Sequence, residues 1–576
     1  MKRLIIVAIS VFFTYGCTKD NKNPNDALKE GPKGDRKEDA DTLREQAQGV
    51  TSIENWFIKD PELDSLEGTS SERAIRELNL KSSSEIIVAV LDSGVDIQHE
   101  DLAGRIWTNP GETGLDESGA DKSKNGVDDD KNGYVDDIHG WNFLGGKNGE
   151  HINYETLEMT RELVRMEKRL ARGEVLTEAE KAYYARVQAV YEEESKDAND
   201  TYAELSKEEP KITAAQNLLT EKLGLTDFTK EKLEAIDSKD EDVLAAKDTL
   251  LEAIKSYRSV ARFFRLLDYY KSASLYYYNK EYNPRSTIVG DDPDDFSQVS
   301  YGNNDVMGPD ADHGTHVSGI IAAVQGNGKG VDGIAQNVKI MSLRMVPNGD
   351  ERDKDIVLAV RYAVDNGAKI INMSFGKAFS PDKARVDEAF LYAAEKGVLI
   401  VHAAGNDAKN NDLQPSFPNK NVLNAAEKSL SEEIPTWLEV GASASAFGLK
   451  VKKEVGLGLV ANFSNYGKKD VDLFAPGSLL KSTVPGNEYA IYSGTSMACP
   501  AVSGVAALVL SQHPNMTGEQ LKAILLRQVR LYPDLQVRLP GAARLDLPVL
   551  FSELSSTGGV VDALASLRLA KMLSEN

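Results

Sequence analysis

Three residues of this chain carry the side chains that together can acylate a serine. Ser496 stands in Ser493-Gly494-Thr495-Ser496-Met497-Ala498-Cys499-Pro500, which runs straight into the small, apolar stretch 501–510. That stretch is apolar all round and predicts a buried helix. A hydroxyl at its start lies beside backbone N–H groups with no intrahelical partner, near the positive end of the helix dipole. Such a serine serves as a helix cap or as a nucleophile that becomes an anionic, acylated centre. The choice depends on whether the chain also supplies a histidine, an aspartate and an oxyanion donor. His313, in Asp312-His313-Gly314-Thr315-His316, again precedes a small, apolar helical run, and the chain has only seven histidines. Asp92 closes the run Ile86-Ile87-Val88-Ala89-Val90-Leu91-Asp92. His316, one turn beyond His313, reads as structural.

The elements that must position these residues follow from hydrophobic patterning. The β-branched run ending at Asp92 predicts a strand buried on both faces, as in a parallel sheet, with its carboxyl end where sites form in open α/β sheets. Residues 369–374 and 397–404 predict two more such strands, and 355–366 and 384–396 predict helices between them, each closed by a glycine. This alternation predicts a doubly wound α/β domain with a mostly parallel sheet flanked by helices. Residues 70–80 predict a short amphipathic helix capped by Ser71. Residues 151–287 break the pattern. They are rich in Glu, Lys, Ala and Leu, with Leu157, Val164 and Leu170 at helical spacing and a capping box at Thr177 and Glu180. An all-helical insertion of several antiparallel helices is expected there, its tyrosine cluster (269, 270, 276, 277, 278 and 282) serving as core or docking surface.

At 576 residues, 41% hydrophobic and 27% charged, the chain has ample core for several domains. The net charge of −23 excludes the basic footprint of a nucleic-acid-binding protein. Lys2-Arg3, the apolar run 4–13 and Thr14-Tyr15-Gly16-Cys17 have the charged and apolar regions of a secretory signal, too short to span a membrane. A small residue directly before a cysteine resembles a bacterial lipoprotein signal, which implies cleavage before Cys17 and lipid on its sulfur. Residues 18–50 have the composition of a flexible tether. Only Cys17 and Cys499 are present, so no disulfide framework is expected, and Cys499 reads as a small buried residue.

The order Asp92-Ser-Gly, His313-Gly-Thr-His and Gly-Thr-Ser496-Met-Ala is specific, and it resembles the subtilisin-like serine peptidases, the subtilase family. The Gly-x-Ser-x-Ala pattern differs from the Gly-x-Ser-x-Gly elbow of α/β hydrolases. Further similarity spans about 90–150 and 300–570, with Asn372-Met373-Ser374-Phe375-Gly376, Ala403-Ala404-Gly405-Asn406 and Phe474-Ala475-Pro476-Gly477 among its motifs. The resemblance implies a triad of Ser496 as nucleophile, His313 as general base and Asp92 as its orienting partner, with Asn406 donating to the oxyanion. It implies that Ser374, Phe375 and Gly376 receive a peptide as an added strand and that Ala403, Ala404 and Gly405 wall the pocket for the residue before the cut. The implied activity is that of a serine endopeptidase on protein or peptide substrates. A binding scaffold of the same fold predicts a broken constellation, whereas all four residues stand in this sequence.

An acidic loop adds a metal candidate. Asp128, Asp130, Asn132, Gly133 and Asp136 occupy positions 1, 3, 5, 6 and 9 of an EF-hand-like loop, with Tyr134 offering its carbonyl. His139 replaces the usual closing Glu, and Asp137 completes the shell instead. A structural Ca²⁺ is expected, while Asp96 and Asp101 order their loops. The expected organisation is a signal over 1–16, a lipid-anchored tether over 17–50, catalytic segments over 51–150 and 288–576, and the helical insertion over 151–287. The expected location is the bacterial cell envelope, tethered to a membrane.

Overall fold

The apolar run ending at Asp92 forms strand β1 (Ile86–Asp92), and its alternate side chains feed two different cores. Val88 and Val90 pack on one side of the sheet with Val317, Ile320, Val502 and Val505. Ala89 and Leu91 pack on the other with Met341, Ile356, Val360 and Phe390. A strand covered on both faces has no polar side to show, which is why the run is continuous. The computed structural model describes residues 54–80, 84–424, 429–445, 458–542 and 547–575. The expected signal, the tether over 17–50 and Cys17 lie outside the described residues.

β1 is joined by β2 (Gly140–Asn142), β3 (Val338–Arg344), β4 (Ile370–Met373), β5 (Leu399–Ala403), β6 (Trp437–Ser443) and β7 (Leu473–Pro476). A hairpin, β8 (Leu480–Val484) and β9 (Glu488–Tyr492), stands apart, and two short strands, β10 (Arg530–Leu531) and β11 (Gly559–Val560), complete the sheet. The sheet order is β10-β11-β7-β6-β5-β4-β1-β3-β2. Every pairing is parallel except β10 with β11. This is the doubly wound, mostly parallel α/β fold that the alternation predicts.

The helices are α1 (Ser71–Glu77), α2 (Glu158–Ala171), α3 (Glu178–Leu223), α4 (Lys230–Glu234), α5 (Glu241–Tyr257), α6 (Val260–Ser272), α7 (Asp312–Ala322), α8 (Asp353–Asp365), α9 (Lys383–Glu395), α10 (Thr495–Gln512), α11 (Gly518–Arg527) and α12 (Ala563–Ser574). α10 is the one helix among the described residues apolar and long enough to cross a membrane, and it is buried in the core. Two expectations change. The N-cap of α1 is Ser70, not Ser71, and Ser70 Oγ donates to Asp60 Oδ2 at 2.7 Å rather than capping. The apolar face of α2 is Met159, Leu163 and Met166, whereas Leu170 is exposed because it lies beyond the packed surface.

The helical stretch forms as expected, and its parts fall in two compact units. Among the described residues one unit is 205–267. There Glu208 accepts from Tyr257 at 3.0 Å and Lys222 pairs with Asp240 at 2.6 Å, so the end of α3 and α5 run antiparallel. In the other unit Tyr183 donates to Glu162 at 3.0 Å and Arg169 pairs with Glu180 at 2.9 Å, so α2 and the start of α3 form an antiparallel hairpin. The Thr177–Glu180 capping box closes, with Thr177 N donating to Glu180 at 2.8 Å and Glu180 N to Thr177 at 3.2 Å. The tyrosines pack on one another: Tyr276 lies against Tyr154 and Tyr282, and Tyr269 against Tyr277. The chain leaves the sheet after β2 and returns at Asn303, whose N–H and carbonyl bond Asn142 at 3.0 and 2.9 Å.

Candidate active site

Asp92 lies at the carboxyl end of β1, and its Oδ1 accepts from the backbone N–H of Ser93 and meets His313 Nδ1, each at 2.8 Å. His313 occupies the first turn of α7. Gly314 lets that turn approach β1, because a Cβ there would lie 2.2 Å from the carbonyl oxygen of Gly94. A carboxylate at Nδ1 fixes the imidazole tautomer that leaves Nε2 as a base. The two residues are 221 apart in sequence, yet the intervening stretch does not disturb their bond.

Ser496 sits in the first turn of α10, whose N-cap is Gly494 with no side-chain capping bond. Ser496 is therefore not a cap. Its Oγ donates to the Ser374 carbonyl at 3.2 Å, and Ser374 Oγ returns a bond to the Ser496 carbonyl at 3.0 Å. This reciprocal pair holds the segment after β4 against the start of α10. Behind it Cys499 is buried, with Sγ 3.2 Å from Asn372 Oδ1, and burial pushes its thiol well above the usual range. It is inert packing, as the sequence predicts.

Asn406 follows β5. Its Oδ1 accepts from the N–H of Thr495 at 2.8 Å and from Thr495 Oγ1 at 3.0 Å. Anchoring the oxygen orients the amide and leaves the Nδ2 hydrogens for an incoming acceptor. Thr495 Oγ1 also accepts from the Gly405 N–H at 3.1 Å. Gly405 has φ +106°, and a Cβ there would lie 2.5 Å from Asn465 Nδ2, so only glycine fits. Ala403, Ala404 and Gly405 thus lead from β5 to Asn406 beside the first turn of α10. Thr495 carries no signal in the sequence beyond its adjacency to Ser496.

A family model described as "Subtilase family" matches residues 83–542. The chain belongs to the subtilase family. Similar subtilases include a thermophilic serine proteinase of Bacillus sp. (strain AK1), 37% identical over 205 residues, which cover 35% of this chain and 43% of that protein. Subtilisin E of Bacillus subtilis (strain 168) is 33% identical over 214 residues, 36% of this chain and 48% of that protein. The chain spans about half the length of these relatives. A solved protease of Pseudoalteromonas arctica is 26% identical, with 46% of this chain and 78% of that chain covered and a TM-score of 0.35.

His316 Nε2 meets the carbonyls of Leu480 and Ala490 at 3.1 and 3.2 Å, and its ring stacks on Tyr492, which makes it structural. Asp96 accepts from the N–H groups of Gln98 and Gly486, and Asp101 from Asn327 and the N–H of Val331; both order loops. In the acidic loop Asp128 accepts from the N–H groups of Asn132 and Gly133, and Asp136 from that of Gly126. Asp130 and Asp137 instead converge with Glu112, their ligand oxygens within 4.8 Å of one another. Asn109 Nδ2 bridges Asp130 and Asp137 at 2.9 Å each, and Asn132 Nδ2 donates to Asp137 at 2.9 Å. Tyr134 is buried, its ring against Trp141 and Tyr362. Burial pushes Asp137 up to about 6. Glu112 is fully buried, and its Oε2 has no partner among the described residues. Glu112 is absent from the loop motif and could not be read from it.

Proposed function

We propose that this subtilase is a serine endopeptidase. The observation that carries the reading is the 2.8 Å bond between His313 Nδ1 and Asp92 Oδ1, with Ser496 and Asn406 both gathered at the first turn of α10. Ser496 Oγ attacks the scissile carbonyl as His313 Nε2 takes its proton. The developing oxyanion receives the Asn406 Nδ2 hydrogen and the Ser496 N–H. His313 then gives its proton to the leaving amine as the C–N bond breaks, leaving an acyl-Ser496. A water deprotonated by His313 attacks that ester, releases the acid and restores the serine. Asp92 orients the ring and stabilises its charged form. Ser374, Phe375 and Gly376 pair with the substrate backbone, and Ala403, Ala404 and Gly405 wall the pocket for the residue before the cut.

Calcium fits the cluster of Glu112, Asp130 and Asp137. The donors are hard oxygens, and the unpartnered Oε2 of buried Glu112 is a polar atom that a cation would satisfy. The ion's part is structural: it neutralises carboxylates that otherwise repel. Asp128, Asn132, Tyr134 and Asp136 shape the loop around those ligands. The protein is exported and tethered at the cell envelope, with residues 1–16 removed, Cys17 lipidated, 17–50 as tether, 51–150 and 288–576 as catalytic segments and 151–287 as a helical insertion.

The test is labelling with a fluorophosphonate serine probe. Wild-type protein is expected to label and to cleave unfolded protein, and Ser496→Ala to lose both, with turnover down at least ~10⁴-fold. Absence of labelling in well-folded wild-type protein would refute the reading.

A further inference from the structure

Behind the segment after β4 lies a buried pair that the catalytic steps do not use. His402 on β5 and Glu439 on β6 are direct cross-strand partners, and both are buried. His402 Nδ1 lies 3.0 Å from each carboxylate oxygen of Glu439, and its Nε2 lies 2.8 Å from the carbonyl oxygen of Phe375. Glu439 Oε2 also accepts from Trp437 Nε1 at 2.8 Å. A carbonyl oxygen only accepts, so Nε2 carries a hydrogen. The Nδ1 contact then holds one further proton between the ring and the carboxylate. The pair as a whole is neutral, which is how two ionisable groups are tolerated in the core.

The bond to Phe375 bears on the neighbouring residues. Ser374 O faces Ser496, from whose Oγ it accepts, whereas Phe375 O faces His402. Successive carbonyls of extended backbone point to opposite sides. The peptide unit joining Phe375 to Gly376 is planar and trans, so fixing the Phe375 oxygen also fixes the Gly376 N–H in the opposite direction. Gly376 itself is closely bounded on its far side, where a Cβ would meet Ser416 Oγ at 3.2 Å.

We infer that His402, held by Glu439, is a positioning residue for the substrate backbone: its Nε2–H locks the Phe375–Gly376 peptide plane so that the edge formed by Ser374 and Gly376 faces an incoming strand. His402 touches neither the scissile bond nor the triad. This inference rests on the peptidase reading above and deepens it. It predicts that the pair matters in proportion to how much substrate backbone lies along the segment.

The experiment uses the full chain and two double variants that leave no charge buried. His402→Leu with Glu439→Gln removes the donor to Phe375, and His402→Gln with Glu439→Gln supplies an amide N–H in its place. Each is assayed for fluorophosphonate labelling and for hydrolysis of two anilides with the same terminal residue, one a single residue and one four residues long. The leucine variant is expected to lose about tenfold in kcat/KM on the four-residue substrate, the strain of an unsatisfied buried carbonyl. Its labelling and single-residue hydrolysis stay within about twofold of wild type, and the glutamine variant recovers most of the loss. Equal losses on both substrates, no loss on the longer one, or no recovery by glutamine would overturn the inference. Failure of both variants to fold would assign the pair to the core and overturn it as well. Wild-type protein that does not label would be a separate result, striking the peptidase reading before any variant is compared.

Discussion

Lys377 Nζ lies 2.8 Å from Glu158 Oε2, and this buried ion pair ties the residue after Gly376 to the first turn of α2. Nζ is also 2.7 Å from Asp353 Oδ1 and donates to the Glu351 carbonyl at 2.8 Å. Two residues on, Phe379 packs among Met159, Leu163 and Val187 of α2 and α3. The helical stretch therefore grips the end of the segment that would receive substrate.

Removing Lys377 from this cluster, where Arg161 is the second cation on Glu158, should cost more than removing Glu158. Burial works against the Lys377 charge, yet Asp353 and Glu158 hold its ammonium above the ordinary range. Lys377→Met strands buried Asp353, while Glu158 keeps Arg161 at 2.7 Å, and should lower unfolding free energy by about 3–5 kcal/mol. Glu158→Gln leaves Asp353 in place and should cost about 1–3 kcal/mol. Urea denaturation measures both, and the reverse ranking would contradict the network.

Asn406→Ala should reduce kcat by ~10²–10³ with little change in KM, since the donor acts on charge that develops only in the transition state. Asn406→Asp separates this from packing. It keeps an acceptor for the Thr495 N–H but removes the Nδ2 donor, so it should be at least as slow in steady-state assays as the alanine variant.

Asp92→Asn should lower turnover by ~10⁴ near neutral pH while the protein still folds, because an amide presents the wrong partner to His313 Nδ1. Steady-state kinetics, with circular dichroism as the folding control, measure it. A loss below tenfold would mean that Asp92 does not orient the base.

Calcium at 100 times its Kd should raise unfolding free energy by about 2.7 kcal/mol, and a chelator should remove that increment. Glu112→Gln should abolish the calcium response, whereas Asp136→Asn should leave most of it. Thermal melts with and without calcium decide between the two residues.

Glu351 gives a pH signature. Burial pushes it up to about 8, with Lys377 opposing and Asp350 reinforcing the shift. A carboxyl whose folded pKa is raised adds stability that is complete below its unfolded value and is lost as pH rises through the folded value. Wild-type melting temperature should therefore fall as pH rises from the ordinary carboxyl range to about 8 and level off above it, and Glu351→Gln should flatten that decline. An unchanged slope in the variant would show that another group titrates.

Much of this architecture is legible in the residues themselves. The runs ending at Asp92 and Met373 are strands because continuous β-branched sequence has only a doubly covered sheet to enter, and the helices over Asp353–Asp365 and Lys383–Glu395 fall within two residues of their expected limits. Contacts set by strand order are not legible. His402 and Glu439 meet because β5 and β6 are neighbours, and nothing local to either residue says so. Glu112 is likewise carried into the acidic loop by chain folding: its Oε1 accepts from the N–H groups of Asp129 and Asp130 at 2.7 and 3.1 Å. Ser71 is not the expected cap because α1 begins one residue early, after Ser70, whose hydroxyl is drawn to Asp60.

The placement of β1 between β3 and β4 sets a schedule for synthesis. Both neighbours of β1 are encoded after the helical stretch, and His313 follows Asp92 by 221 residues. At about 5–20 residues per second, roughly 10–45 s pass between making the aspartate and making the histidine. The centre of the sheet waits through that interval without partners, and Ser496 emerges later still. On the proposed triad, the nascent chain lacks part of its catalytic set until Ser496 has been made.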